Sequence, residues 1–274
     1  MATGILIWWV FLCSVAVINI NIWIYAAILL ARRKHLFDAR IYRARRWSLA
    51  LSAVFVLGCG FRSIFPVFDV QRICMIDSWF STIAVGRSIA MVAELCLIAQ
   101  FALLLYNEAK GVGAKFSQIV ALLLVPIITV AELFSWFAVL TTNNVGHVVE
   151  ESLWTFSAVL LVASLISLWP YISRSIRYVF FGGIGFGMAY IMFMSTVDVP
   201  MYYVRWQTEL AQNKDYLSIS QGIIDATRHC IVSGQWEVWR AEIPWMSLYF
   251  SVSVWLSILM THFPRLSVES SQRT

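Results

Sequence analysis

Seven runs of mostly apolar residues alternate along the chain with short polar stretches, at approximately 5–31, 47–66, 78–106, 116–141, 150–172, 177–199 and 243–263. An α-helix rises about 1.5 Å per residue, so about 20 apolar residues cover the roughly 30 Å of hydrocarbon in a bilayer. Each run is long enough. The pattern therefore predicts an all-α integral membrane protein, a seven-transmembrane-helix bundle forming one polytopic domain over residues 1–274. The first run has no basic leader and no small-residue cleavage site before Ala31, so it reads as a retained helix and not as a removed signal peptide.

Between the sixth and seventh runs, residues 200–242 are too polar to span. Within them Leu217, Ile223, Ile224 and Ile231 fall near one helical face, and Gln221, Asp225 and Arg228 near another. This predicts an amphipathic cap across one end of the bundle, either a lid over a site or a cover for helix ends.

Composition agrees with the periodicity. Hydrophobic residues make up 60% and charged residues 13%, against about 25% charged in soluble domains. The net charge of +5 does not point to nucleic acid, because the cations concentrate beside one apolar run: Arg32, Arg33, Lys34, Arg40, Arg43, Arg45 and Arg46, with only Asp38 opposing them. That segment belongs on the cytoplasmic face. Alternating from there assigns it Lys110, Lys115, Arg174, Arg177, Arg265 and Arg273 as well, thirteen basic residues against Asp38, Glu108 and Glu269. The other face receives nine acidic residues against five basic ones. The N-terminus is therefore expected outside and the C-terminus in the cytoplasm, in a bacterial inner membrane or a eukaryotic plasma membrane or endomembrane. Partners expected on these grounds are the lipid bilayer, anionic lipid at the basic loop 32–46, and a small polar molecule or lipid head group. Topology and lipid charge suffice to explain the basic loop.

Five ionisable residues interrupt the apolar runs: Arg62, Arg87, Glu94, Glu132 and Asp198. Each costs about 2.5–3.5 kcal/mol at a helix centre, so such residues are paired or functional. Counting residues from the outer boundary puts Arg87 and Glu132 at similar depth on adjacent antiparallel helices, which predicts an ion pair between them. Glu94 lies seven residues below Arg87, at a level where no basic residue of neighbouring helices is expected. It is read either as a protonated, hydrogen-bonded carboxyl or as the contact for a cation, a proton path or a polar ligand.

Nearer the outer face, Arg62, Asp69, Arg72, Asp77, Tyr202, Arg205, Asp225 and Arg228 place acid and base among apolar side chains. Two readings stay open, a polar pocket floored by Arg87 and Glu132, or a set of interfacial salt bridges. In the first, Glu94, Glu132 and Asp198 are the catalytic acid or base candidates, and the remaining charges with Tyr202 are ligand-binding candidates. The corresponding function is a membrane enzyme or binding protein for a small polar ligand or lipid head group. The alternatives are a proton- or ion-coupled transporter using Glu94 and a receptor or assembly subunit. Neither a cofactor nor a nucleophile is marked.

Cys74 and Cys230 both fall on the outer side and could form a disulfide. His147 with Glu150 and Glu151, and Asp225 with His229, have helical spacing that suits a metal, but acidic residues favour helix starts for electrostatic reasons alone, so no metal is assigned. The four lysines, Lys34, Lys110, Lys115 and Lys214, all lie outside the runs, which excludes a retinal Schiff base within a helix. Asp-Arg-Tyr and Asn-Pro-x-x-Tyr motifs of rhodopsin-like receptors are missing too.

Overall fold

The structure is a computed structural model that describes residues 3–69, 71–240 and 242–263; Arg265, Glu269 and Arg273 of the charge partition lie outside these. Seven helices among them are long and apolar enough to cross a membrane: α1 (Thr3–Arg32), α2 (Ala39–Ile64), α3 (Ile83–Val112), α4 (Lys115–Thr141), α5 (Val145–Tyr171), α6 (Arg177–Ala211) and, after a short helix α7 (Ile219–Ala226), α8 (Ile243–Thr261). Three two-residue strands, β1 (Val67–Phe68), β2 (Ile73–Cys74) and β3 (Ile231–Val232), form a small sheet in which β2 runs antiparallel to β1 and parallel to β3.

The described helices fall into two compact units, 1–100 with 218–263, and 101–217. In the first, α2 packs between α1 and α8 on a buried face of Ser48, Ser52, Phe55, Val56 and Cys59. Buried polar groups there are matched by side chains. Gln100 donates to Ser48 Oγ at 2.9 Å and to the Ser257 carbonyl at 2.7 Å, and accepts from Ser257 Oγ at 2.7 Å. In α8 the turn Tyr249–Ser253 widens to a π-helix, and Asn19 of α1 donates to the Phe250 carbonyl within it at 2.7 Å. A carbonyl displaced from the regular ladder is thereby satisfied.

The second unit is built on α4 and α5, joined by a turn with Thr142 in the left-handed conformation (φ 58°). Gly146 sits where α5 meets α4, and a Cβ there would stand 2.6 Å from the Phe134 carbonyl oxygen. The far end of α6 returns to this turn. Glu209 accepts from the Asn144 amide at 3.2 Å and from its side chain at 2.6 Å, and Lys214 donates to the Thr142 carbonyl at 2.7 Å.

Two expected boundaries need correction. The sixth helix does not stop near residue 199 but continues to Ala211. Pro200 lacks an amide hydrogen, yet it follows a π-helical turn at Met194–Asp198 and takes an early position in the renewed α-helix, where that hydrogen is not needed. The amphipathic cap is correspondingly shorter. Helix α7 opens on a reciprocal capping box between Ser218 and Gln221 and ends by Thr227, and Ile231 pairs with β2 instead of extending the helix. Ile223, Ile224 and Ile231 are all exposed, so that apolar face is not buried within the chain.

Candidate functional site

Helices α2, α3 and α8 of the first unit converge on Glu94. Its carboxylate lies 3.7 Å from Arg62 Nη1 and 3.8 Å from Arg87 Nη2, with all three side chains largely buried. The Tyr249 hydroxyl donates to Glu94 Oε1 at 2.9 Å, from the first residue of the wide turn in α8. The expectation that no basic residue reaches Glu94 is therefore overturned. Arg87 is two helical turns away, about 10 Å along the axis, but long side chains extend several ångströms from their own level. The Arg62 guanidinium also stands over the rings of Tyr249 (5.9 Å) and Phe250 (5.5 Å), where aromatic faces favour a cation.

Both arginine contacts are longer than the 2.7–2.9 Å of a charge-assisted hydrogen bond. Coulombic attraction holds the groups together without closing the carboxylate's lone pairs. Arg87 belongs to the first unit and Glu132 to the second, and the ion pair expected between them is a proposal.

The loop charges of the first unit are brought to one another. Arg72 Nε donates to Asp225 Oδ2 at 2.8 Å and its Nη1 to the Asp69 carbonyl at 3.1 Å, while the Ile231 amide donates to the Arg72 carbonyl at 2.8 Å. His229 Nδ1 meets Asp77 Oδ1 at 2.7 Å on the surface. These contacts stitch the loop after α2 to α7 and to the segment that follows it. The Arg228 backbone amide donates to the Asp225 carbonyl at the end of α7, and its side chain is exposed.

Cys74 and Cys230 are free thiols within hydrogen-bonding reach of each other. Cys230 donates to the Ser81 carbonyl and Cys74 to that of Ile76, each at 3.2 Å. Burial pushes the Cys230 thiol up to about 12, reinforced by Cys74 and Asp69 and opposed by Arg72. Cys74 is raised by burial and by Asp77. Since the thiolate is the nucleophile, and its own reactivity rises with its basicity, reduced Cys230 at pH 8 is expected to react with iodoacetamide about fiftyfold more slowly than an unperturbed thiol of pKa about 8.5. Mass-spectrometric labelling kinetics check this, and labelling at the rate of an unfolded control would show that the burial is not maintained.

In the second unit, Asp198, Tyr202 and Arg205 share a face of α6 at helical spacing, starting from the π-helical turn. The His147 ring lies 4.8 Å from that of Tyr202, and Arg205 stands 5.3 Å over the Tyr202 ring. His147 Nδ1 meets Glu150 Oε2 at 2.8 Å, both side chains being buried. The spacing of His147 and Glu150 was visible as a weak metal pattern; its pairing with the α6 residues was not. Tyr249 escaped notice altogether, because a tyrosine within an apolar run carries no mark of its partner.

Compared with known proteins, the chain matches no family model, no curated protein and no solved structure.

Proposed function

We propose that this chain is a multi-pass membrane protein, N-terminus outside and C-terminus in the cytoplasm, that binds a small anionic or polar molecule, lipid head groups included, at Arg62, Arg87, Glu94 and Tyr249. The observation that carries the reading is one buried carboxylate facing two guanidiniums at 3.7 and 3.8 Å. A carboxylate or phosphate entering from the outer face would compete with Glu94 for both arginines, which match such groups in shape and charge. Tyr249 would donate to whichever oxygen occupies the place of Glu94 Oε1. In an enzymatic version, Glu94, Glu132 or Asp198 would serve as acid or base. The disulfide between Cys74 and Cys230 is a further proposal, supported by the nearness of the thiols.

A second reading, a carrier in which Glu94 is the coupling carboxyl, draws support from the wide turns in α6 and α8, which lie at Asp198 and Tyr249. Single π-helical turns within α-helices frequently mark functional sites.

Thermal unfolding of the purified protein in detergent, across a panel of organic carboxylates and phosphates, tests the first reading. At least one anion is expected to raise the melting temperature of the wild type and to lose that effect in Arg62→Gln. Equal stabilisation of both proteins, or none of the wild type, would remove the site. For the carrier, Glu94→Gln in liposomes is expected to abolish uptake while leaving binding intact; uptake at the wild-type rate would refute it.

A further inference from the structure

The segment from Lys34 to Trp47 forms more than a cluster of charge. The short turn after α1 and the first turns of α2 enclose an open depression of about 660 Å³, walled by Phe37, Tyr42 and Trp47 and rimmed by Lys34, Arg43 and Arg46. This is within the size range of small-molecule sites. Lys34 Nζ is 5.8 Å from the centre of the Tyr42 ring. One wall is braced from behind: Arg45 stands 4.5 Å over the Phe37 ring and donates to the carbonyls of Thr261 (3.3 Å) and Phe263 (2.8 Å) at the end of α8. Arg43 and Arg46 are exposed and form no ion pair with any described residue.

The same face of α2 continues below the cations as an apolar stripe. Residues 43, 46, 50, 54 and 57 recur at intervals of three and four, which keeps them on one side of a helix. Trp47 is 63% exposed, Val54 38% and Leu57 60%, so the first unit leaves the stripe uncovered. From Arg46 to Leu57 the helix rises about 16 Å, close to half of a hydrocarbon core about 30 Å thick. Three cations at the top, an exposed indole beneath them and one leaflet's depth of apolar helix below form a graded surface.

We propose that this depression is a binding site for the phosphate-bearing head group of an anionic membrane lipid. Lys34, Arg43 and Arg46 hold the phosphate, Trp47 lies at the level of the glycerol backbone, and an acyl chain follows Ala50, Val54 and Leu57. The proposal rests on the membrane-crossing reading of the helices and is independent of the site at Glu94. It goes beyond a topology signal, because any seven cations would serve topology whereas a bound lipid depends on those that rim the depression.

Native mass spectrometry of the full chain released from detergent micelles doped with phosphatidylglycerol and phosphatidylcholine provides the test. The wild type is expected to retain one phosphatidylglycerol in preference to phosphatidylcholine. Arg43→Gln with Arg46→Gln should weaken retention about tenfold or more, because two charge-assisted contacts to the phosphate are lost. Arg32→Gln with Arg33→Gln removes the same charge outside the depression and should change retention less than twofold. An equal fall in both double variants overturns the site in favour of diffuse attraction. Displacement of the lipid by millimolar glycerol phosphate overturns the acyl-chain contact. Trp47→Ala separates these further, since it should weaken the lipid and leave any binding of free phosphate untouched. Should the chain be extracted from membranes by alkaline carbonate alone, the membrane-crossing reading falls, and this proposal with it.

Discussion

Replacing Glu94 by leucine is expected to lower the unfolding free energy by about 3–5 kcal/mol, the cost of breaking a buried ion pair from one side. Arg62 and Arg87 both approach this carboxylate within the first unit, and both are shielded from water. With leucine in place, the Arg62 and Arg87 guanidiniums lose this carboxylate, and the Tyr249 hydroxyl loses its acceptor. Smaller changes should grade in order. Glu94→Gln keeps an acceptor for Tyr249 but loses the charge, and Tyr249→Phe removes one hydrogen bond to a charged group, worth about 1.5–3 kcal/mol. Thermal unfolding in one detergent, with all three variants, measures the order. A Glu94→Leu protein as stable as the wild type would mean that the carboxylate does not hold the arginines. Tyr249→Phe keeps the question open to measurement if the leucine variant does not fold, since it leaves the ion pairs intact.

The helices were legible in the sequence because seven runs of about 20 or more mostly apolar residues are a strong signal for helices long enough to span a bilayer. Their ends were less legible, each for its own reason. Helix α2 begins at Ala39, not near residue 47, because arginine is a good helix former and its charge disqualifies a residue from the bilayer, not from the helix. Helix α3 begins at Ile83, not near residue 78, because Ser78 caps a 3-10 turn at Trp79–Ser81 by accepting from the Phe80 amide. Pro200 does not end the sixth helix, because it takes an early position in the α-helix renewed after the wide turn, where the missing amide hydrogen is not needed. The charges of the candidate site stood out by cost alone. Their pairing did not, because counting positions along an axis places Cα atoms, and Arg62, Arg87 and Glu94 meet by side chains that leave their own levels. Arg72 illustrates the converse: its partner Asp225 is more than 150 residues away, and the pairing of β2 with β3 helps bring the two segments together.

Gly146→Ala is expected to destabilise the second unit by about 1–3 kcal/mol, toward the upper end of what overpacking costs. The added methyl would stand 2.6 Å from the Phe134 carbonyl oxygen, 2.8 Å from Ala138 Cβ and 2.9 Å from the Ala138 amide nitrogen. Two of these are backbone atoms of α4, which no rotamer change can move aside. Relief therefore requires α4 and α5 to separate, and their joining turn resists, being tied to the end of α6 through Asn144, Glu209 and Lys214. Gly182→Ala on α6 is the control. Nothing lies within 4 Å of its Cβ position, so that substitution should be neutral or gain up to about 1 kcal/mol of helix propensity. Unfolding of both variants in the same detergent gives the comparison, and equal melting would show that α4 and α5 are less closely packed than the geometry requires. Because His147 follows Gly146 directly and Glu150 lies one turn on, any separation of α4 from α5 also displaces the pair that meets Tyr202. The structural cost and the loss of that charged cluster are thus expected to appear together in Gly146→Ala and in neither respect in Gly182→Ala.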